Sequence, residues 1–189
     1  MTTYYDAWQS TTTKHGFAAD EIISGLQKSI RRSNVENALA IAYEMYLTAE
    51  QLEDYMWKRL MVISVEDIGF GDVNAPLIVR NLEQIRREYA YGSFDRALFM
   101  VQAVRYLCAC NKDRSSDLML NVLREEFARG RRPIIEDHVL DMHTRRGREM
   151  GRDLQYFLTE ASKVEPLAAN TQHQEFFARL QQILTEDVK

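Results

Sequence analysis

The residue types best suited to chemistry gather in three places. Arginines crowd the stretch 124–152: Arg124, Arg129, Arg131 and Arg132 precede Pro133, and Arg145, Arg146, Arg148 and Arg152 follow it. Arg145, Arg148 and Arg152 recur at steps of three and four, which on a continuous helix places them on one face. Such a face can neutralise nucleic-acid phosphates, with an affinity that falls steeply as salt rises. The alternative is a face paired with Glu and Asp of another helix or subunit, and the interleaved acids Glu149 and Asp153 favour that pairing. Gly147 and Gly151 stand four apart in the same stretch, where small residues let a second backbone approach, inside the domain or between subunits.

The second place is the acidic pair Glu66-Asp67 in Ser64-Val65-Glu66-Asp67-Ile68-Gly69. It lies near the end of a helix, where the dipole disfavours negative charge. Paired acid/base catalysis is one use for two carboxylates, but adjacent helical residues diverge by about 100° and do not converge unaided. The alternative is an anchor onto basic groups of a neighbouring helix, with Arg59 or the 28–32 stretch (Lys28, Arg31) as partners. The third place is His138-Val-Leu-Asp141-Met-His143. A metal site wants His at i, i+4, whereas His143 would sit about 140° round a helix from His138, so surface or interfacial histidines are expected. His15 and His173 have no partner nearby in the sequence.

A phosphate cradle needs clustered glycines ahead of Lys-Ser/Thr at a helix start. The nearest candidate, Gly69-Phe70-Gly71, ends a helix and is followed by Asp72, so no P-loop is expected, nor any cofactor, metal or catalytic residue. Cys108 and Cys110 are too close for an ordinary disulfide and lack the second pair a zinc site requires, which suits a reducing cytoplasm.

The elements that position these residues read as helices. The chain has 189 residues, of which 46% are hydrophobic and 28% charged, with a formal charge of -4. That balance excludes a disordered, collagen-like or strongly basic chain. Three prolines and eight glycines are few for a β-sandwich or barrel, which needs a turn roughly every 8–12 residues. No apolar run approaches about 18 residues and the N-terminus lacks a signal-peptide pattern, so a cytoplasmic protein without membrane contact is expected.

Residues 1–17 read as an arm packing locally. Helices are predicted over 20–32, over 35–47 behind a Ser33-Asn34 cap, and from a Thr48 cap to Asp67, with Gly69 as the stop. Further helices are predicted over 75–91, 94–110 behind Ser93, from a Ser115-Ser116-Asp117 cap to Gly130, over 144–162, and over 172–185 with Phe176, Phe177, Leu180, Ile183 and Leu184 inside. The expectation is an all-α bundle of about eight helices in a single domain over 18–189.

Three stretches resemble the RarA/MgsA family of AAA+ ATPases. Lys28-Ser29-Ile30-Arg31-Arg32-Ser33-Asn34 followed by Ala38-Leu39 is similar to that family's Lys-Ser-hydrophobic-Arg-Gly-Ser-Asp and Ala-Leu helix, with Arg32 for glycine and Asn34 for aspartate. Arg59-Leu60 and Ser64 to Gly69, then Asp72 and Ala75-Pro76, resemble the next motifs, and Gln102-Ala103-Val104-Arg105-Tyr106-Leu107 before Asn111-Lys112 the third. The resemblance covers residues 18–127 and divides the domain into a matching part, 18–130, and a divergent part, 131–189. It implies a helical domain like a clamp-loader collar, associating as a dimer or tetramer or joining a separate AAA+ ATPase or replication proteins, without ATPase activity since the Walker motifs are lacking. A nucleic-acid-binding accessory module using Arg131, Arg132 and the 145–152 face, with weak DNA contact, is the alternative.

Overall fold

The computed structural model describes residues 7–169 and 172–186. The fold is all-α, with nine α-helices among the described residues and a single antiparallel bridge, between Thr12 and Ala18, in place of any strand. No helix among them is long and apolar enough to cross a membrane. The chain divides into two compact units between Arg131 and Arg132.

In the first unit α1 (Ala19–Arg31) turns its Leu26 and Ile30 stripe onto α2 (Val35–Thr48), with Asp20 and Glu21 in its first turn and Lys28 and Arg31 in its last, the polarity the helix dipole favours. The two helices lie close because Ala38, Ala42 and Gly25 are small; a Cβ on Gly25 would stand 3.0 Å from Ile41 Cδ1. Between them Ser33 adopts φ +56°, and of the expected Ser33-Asn34 cap it is the Asn34 side chain that accepts from Asn37 N–H.

Thr48 does not cap α3 (Glu50–Ile63). Its hydroxyl donates to the Glu44 carbonyl at 2.7 Å and accepts the Lys14 N–H at 3.0 Å, and extended Ala49 breaks the helices without a side-chain cap. α3 is the centre of the unit: Leu52, Met56, Trp57, Leu60 and Ile63 are buried against α2, α4 (Ala75–Arg86) and α5 (Phe94–Ala109). α4 stops five residues before the expected end, as Arg87, Glu88 and Tyr89 donate to carbonyls three residues back and tighten the chain into a turn. Ser93 caps α5 through Arg96 N–H. α6 (Ser115–Ala128) follows an Asp113 carboxylate that accepts Ser115 N–H at 2.8 Å, so Asp113 rather than the serines does the capping.

The expected arm is described from residue 7 onward, and residues 1–6 lie outside the described residues. From there it is docked on the helices. Trp8 packs on Tyr55 with ring centroids 5.2 Å apart, and His15 meets Glu44 twice, through its N–H at 2.8 Å and its Nδ1 at 2.5 Å.

The second unit carries α7 (Arg145–Glu149), α8 (Leu154–Tyr156) running into a π-helical turn over Phe157–Ala161, and α9 (His173–Glu186). The single helix expected over 144–162 is broken. Thr144 caps α7, Gly151 takes φ +73°, and Asp153 accepts Tyr156 N–H to start α8. Gly147 does admit a second backbone, that of its own unit: a Cβ there would lie 1.9 Å from the Asp141 carbonyl oxygen. Gly147→Ala is expected to lower the melting temperature of the second unit, whereas Gly151, with open space around it, is needed only for its backbone angle. An unchanged melting curve for Gly147→Ala would contradict that reading. On α9, Phe176, Leu180 and Ile183 are exposed, contrary to the expected inward face, and Phe177 and Leu184 are half-buried.

Candidate functional site

After Ile63 the chain widens into a π-helical turn over Ser64–Ile68, then reverses at Gly69 (φ +51°, ψ -126°). Gly69 and Gly71 face the strand-like stretch after α5 so closely that a Cβ would stand 2.4 Å from Asp113 O and 2.3 Å from Asn111 O respectively. The Asp113 N–H closes the contact, donating to the Asp67 and Ile68 carbonyls. This clamp brings the start of α6 against the acidic pair.

Asp67 is fully buried. Its carboxylate accepts from Arg31 Nε at 2.5 Å and Gln27 Nε2 at 2.9 Å, with Arg114 Nε 3.4 Å away. Glu66 takes Gln27 at 2.8 Å and Arg31 at 3.3 Å on the same oxygen, Oε1, which Arg114 approaches to 3.6 Å. Arg114 continues to Asp117 on α6 at 2.5 Å. The bond to Asp67 holds the Arg31 guanidinium above its ordinary pKa. Of the expected partners Arg31 is in place, Arg59 acts at one remove by donating to Gln27 Oε1 at 2.5 Å, and Lys28 turns instead to Ser24. Arg114 and Gln27 had no signal in spacing. Asp67 is fully buried and the two adjacent carboxylates are held by cations and an amide, an arrangement that fastens α6 to α1 and α3.

α6 itself is the anomaly. None of its residues is buried, yet Leu118, Met119, Leu120 and Val122 are each more than half exposed, with Leu123 and Phe127 behind them. A soluble helix ordinarily hides one apolar stripe, and contiguous exposed apolar surface marks an interaction site.

A second cluster, absent from the sequence reading, lies inside the first unit. Glu53 is fully buried between Arg96, whose Nη2 donates to it at 2.8 Å, and Arg86, whose Nη1 stands 3.2 Å away. Burial alone would lower the Arg96 pKa, but its bonds to Glu53 and Glu50 raise it above the ordinary value.

The arginines of the second unit do not form one face. Arg145 is exposed and pairs loosely with Glu149. Arg148 donates to the Met142 and His143 carbonyls. Arg152, beyond the end of α7, is held by Asp137 and the Leu140 carbonyl and lies over the Tyr156 ring at 4.2 Å. Arg131, in the first unit, pairs with Glu126, and Arg132 is exposed. His138 is near Glu136 and His143 bonds Asp141, and among the described residues no three His, Cys, Asp or Glu side chains gather as metal ligands. Cys108 and Cys110 are free thiols whose pKa burial pushes up.

Arg152 holds Asp137, and His143 holds Asp141, below the usual carboxylate range. A lowered folded pKa stabilises above the unfolded value, near 3.9, and that stability is lost as pH falls through the folded one. The helical signal of the second unit is therefore expected to hold from neutrality to about pH 4 and to decay below it. A loss beginning above pH 5 in circular dichroism would contradict this.

A family model described as the C-terminal part of MgsA AAA+ ATPases matches residues 32–187. The match runs well past residue 127, where the motif resemblance stops, and takes in the second unit. Replication-associated recombination protein A of Bacillus subtilis (strain 168) is 29% identical over 144 residues, which cover 76% of this chain and 33% of that protein. The chain thus spans about a third of that relative's length.

Proposed function

The chain belongs to the family of MgsA AAA+ ATPase C-terminal domains, and on that premise we propose that it is a non-catalytic association domain, a helical collar that joins copies of itself within assemblies of replication-associated recombination. The observation that carries the proposal is α6, a helix without a buried residue that exposes apolar side chains around more than half its circumference. Leu118 and Val122, one turn apart, lie on the side of α6 opposite Leu120, and they form the patch assigned here to a second copy. Closed two-fold or higher symmetry satisfies such a patch.

Replacing Leu118 and Val122 together by glutamate is expected to leave helix content and melting temperature unchanged, because neither side chain is buried, and to return the protein to monomers. A double variant that keeps the parent's oligomeric mass would refute the role of that face.

Nucleotide chemistry is assigned elsewhere. The sequence carries no glycine-rich loop ahead of Lys-Ser/Thr, and the carboxylates of Asp67 and Asp117 are tied to arginines. Calorimetric titration with ATP is expected to show no binding, and a micromolar affinity would overturn the non-catalytic assignment. The divided arginines of the second unit supply no continuous basic face, so association rather than nucleic-acid binding is the reading adopted.

A further inference from the structure

The opposite side of α6 borders a groove of about 550 Å³ whose walls are Met61, Val62 and Val65 from α3 and its π-helical turn, Leu120 from α6, and the carboxylates of Glu66 and Asp117. A second groove of about 250 Å³ shares Val65 with it and continues past exposed Phe70 and Val73. These volumes fall in or near the roughly 300–1,000 Å³ range of recognition clefts. The apolar floor accounts for affinity without direction; the charge decides what fits. Glu66, Asp67 and Asp117 are held directly by two guanidiniums, Arg31 and Arg114, with Arg59 behind Gln27 as the third cation. Every bond to Glu66 goes to Oε1, and its Oε2 is bonded by none of the described residues. No lysine or arginine lines either groove, and Arg124, one turn beyond Leu120, lies outside the lining.

We propose that this groove receives an amphipathic helix from a partner protein, seating apolar side chains spaced three and four apart on Val62, Val65 and Leu120 and presenting one arginine to Glu66 Oε2 and Asp117. Helix-in-groove recognition uses that spacing for affinity. An arginine fits better than a lysine because its planar fork bonds two carboxylate oxygens at once. Among the described residues Glu66 and Asp117 are the only charged side chains that line the larger groove, and the arginines that hold them lie outside its lining, which explains why the anchor is a cation: an acidic residue there would meet like charge at the groove wall.

The test uses fluorescence anisotropy with the full chain and two fluorescein-labelled model peptides. Both are helical, with leucines in one stripe; one carries an arginine at the stripe's edge and the other a glutamate there. The arginine peptide is expected to bind at least about tenfold more tightly. Glu66→Gln should reduce that preference to within about twofold, and Leu120→Glu should weaken both peptides. Equal affinity for the two peptides, no binding of either, or indifference to Leu120→Glu would overturn the proposal. Peptide binding that disappears at the protein concentrations where the mass rises would place a second copy in this groove and also overturn it, leaving self-association intact. A monomeric mass with the arginine preference preserved would overturn self-association alone.

Discussion

Glu53→Ala is expected to lower the unfolding free energy by about 3–5 kcal/mol, the cost of removing one partner of a buried ion pair, and to lie at the upper end of that range. Glu53 is fully buried and faces two guanidiniums that are 1% and 6% exposed, those of Arg86 and Arg96. Without it Arg96 keeps the exposed Glu50 at 2.9 Å and the Tyr89 carbonyl at 3.1 Å. Arg86 keeps Asp54 at 2.5 Å through Nη2, but its Nε and Nη1 make no hydrogen bond even with Glu53 present. The loss therefore falls mainly on Arg86, which is left with Asp54, with Glu83 at 3.5 Å and with the face of Trp57, 5.7 Å from its guanidinium carbon. Urea unfolding followed by tryptophan fluorescence reads the change directly, since Trp57 sits in the cluster and its indole N–H reaches Glu53 at 3.4 Å. A loss under about 1 kcal/mol would mean that the pair is solvated in solution as surface pairs are.

Asp67→Ala follows with an expected loss of about 3 kcal/mol. Each hydrogen bond from a charged donor contributes roughly 1.5–3 kcal/mol, and Asp67 accepts one from Arg31 and a further bond from Gln27. Arg31 and Arg114 are 28% and 36% exposed, so water relieves part of the charge left behind and the figure stays below that for Glu53. Glu66→Gln serves as the contrast: Glu66 is 25% exposed, the amide oxygen still accepts, and under about 1 kcal/mol is expected. If Asp67→Ala costs no more than Glu66→Gln, the acidic pair does not anchor the π-helical turn.

These two clusters were unequally legible in the sequence, and the reason is locality. Caps at Asn34 and Ser93 depend on a side chain and an amide three residues on, so spacing reveals them. Asp67 with Arg31 could be sought because a carboxylate at a helix end requires a cation. Arg114 had no such mark, since its place depends on the close approach of Asp113 to Gly69. Glu53, Arg86 and Arg96 stand on three different helices, so no local spacing marks their pairing. The one clue was Glu53 standing a turn before Trp57, inside the apolar stripe of α3. The same logic explains the failure over 144–162: arginines at three and four look continuous by periodicity, while Gly151 and the Asp153 cap divide the helix. His15 found Glu44 29 residues away, a pairing that no local pattern marks.

Association of copies through α6, as proposed, makes the mass in solution depend on concentration. Light scattering on the eluting protein across about a hundredfold range of concentration tests it most directly. The expected mass is a whole multiple of 22.1 kDa, twice or four times it, falling to the single-chain value on dilution. A mass of 22.1 kDa at every concentration would contradict it.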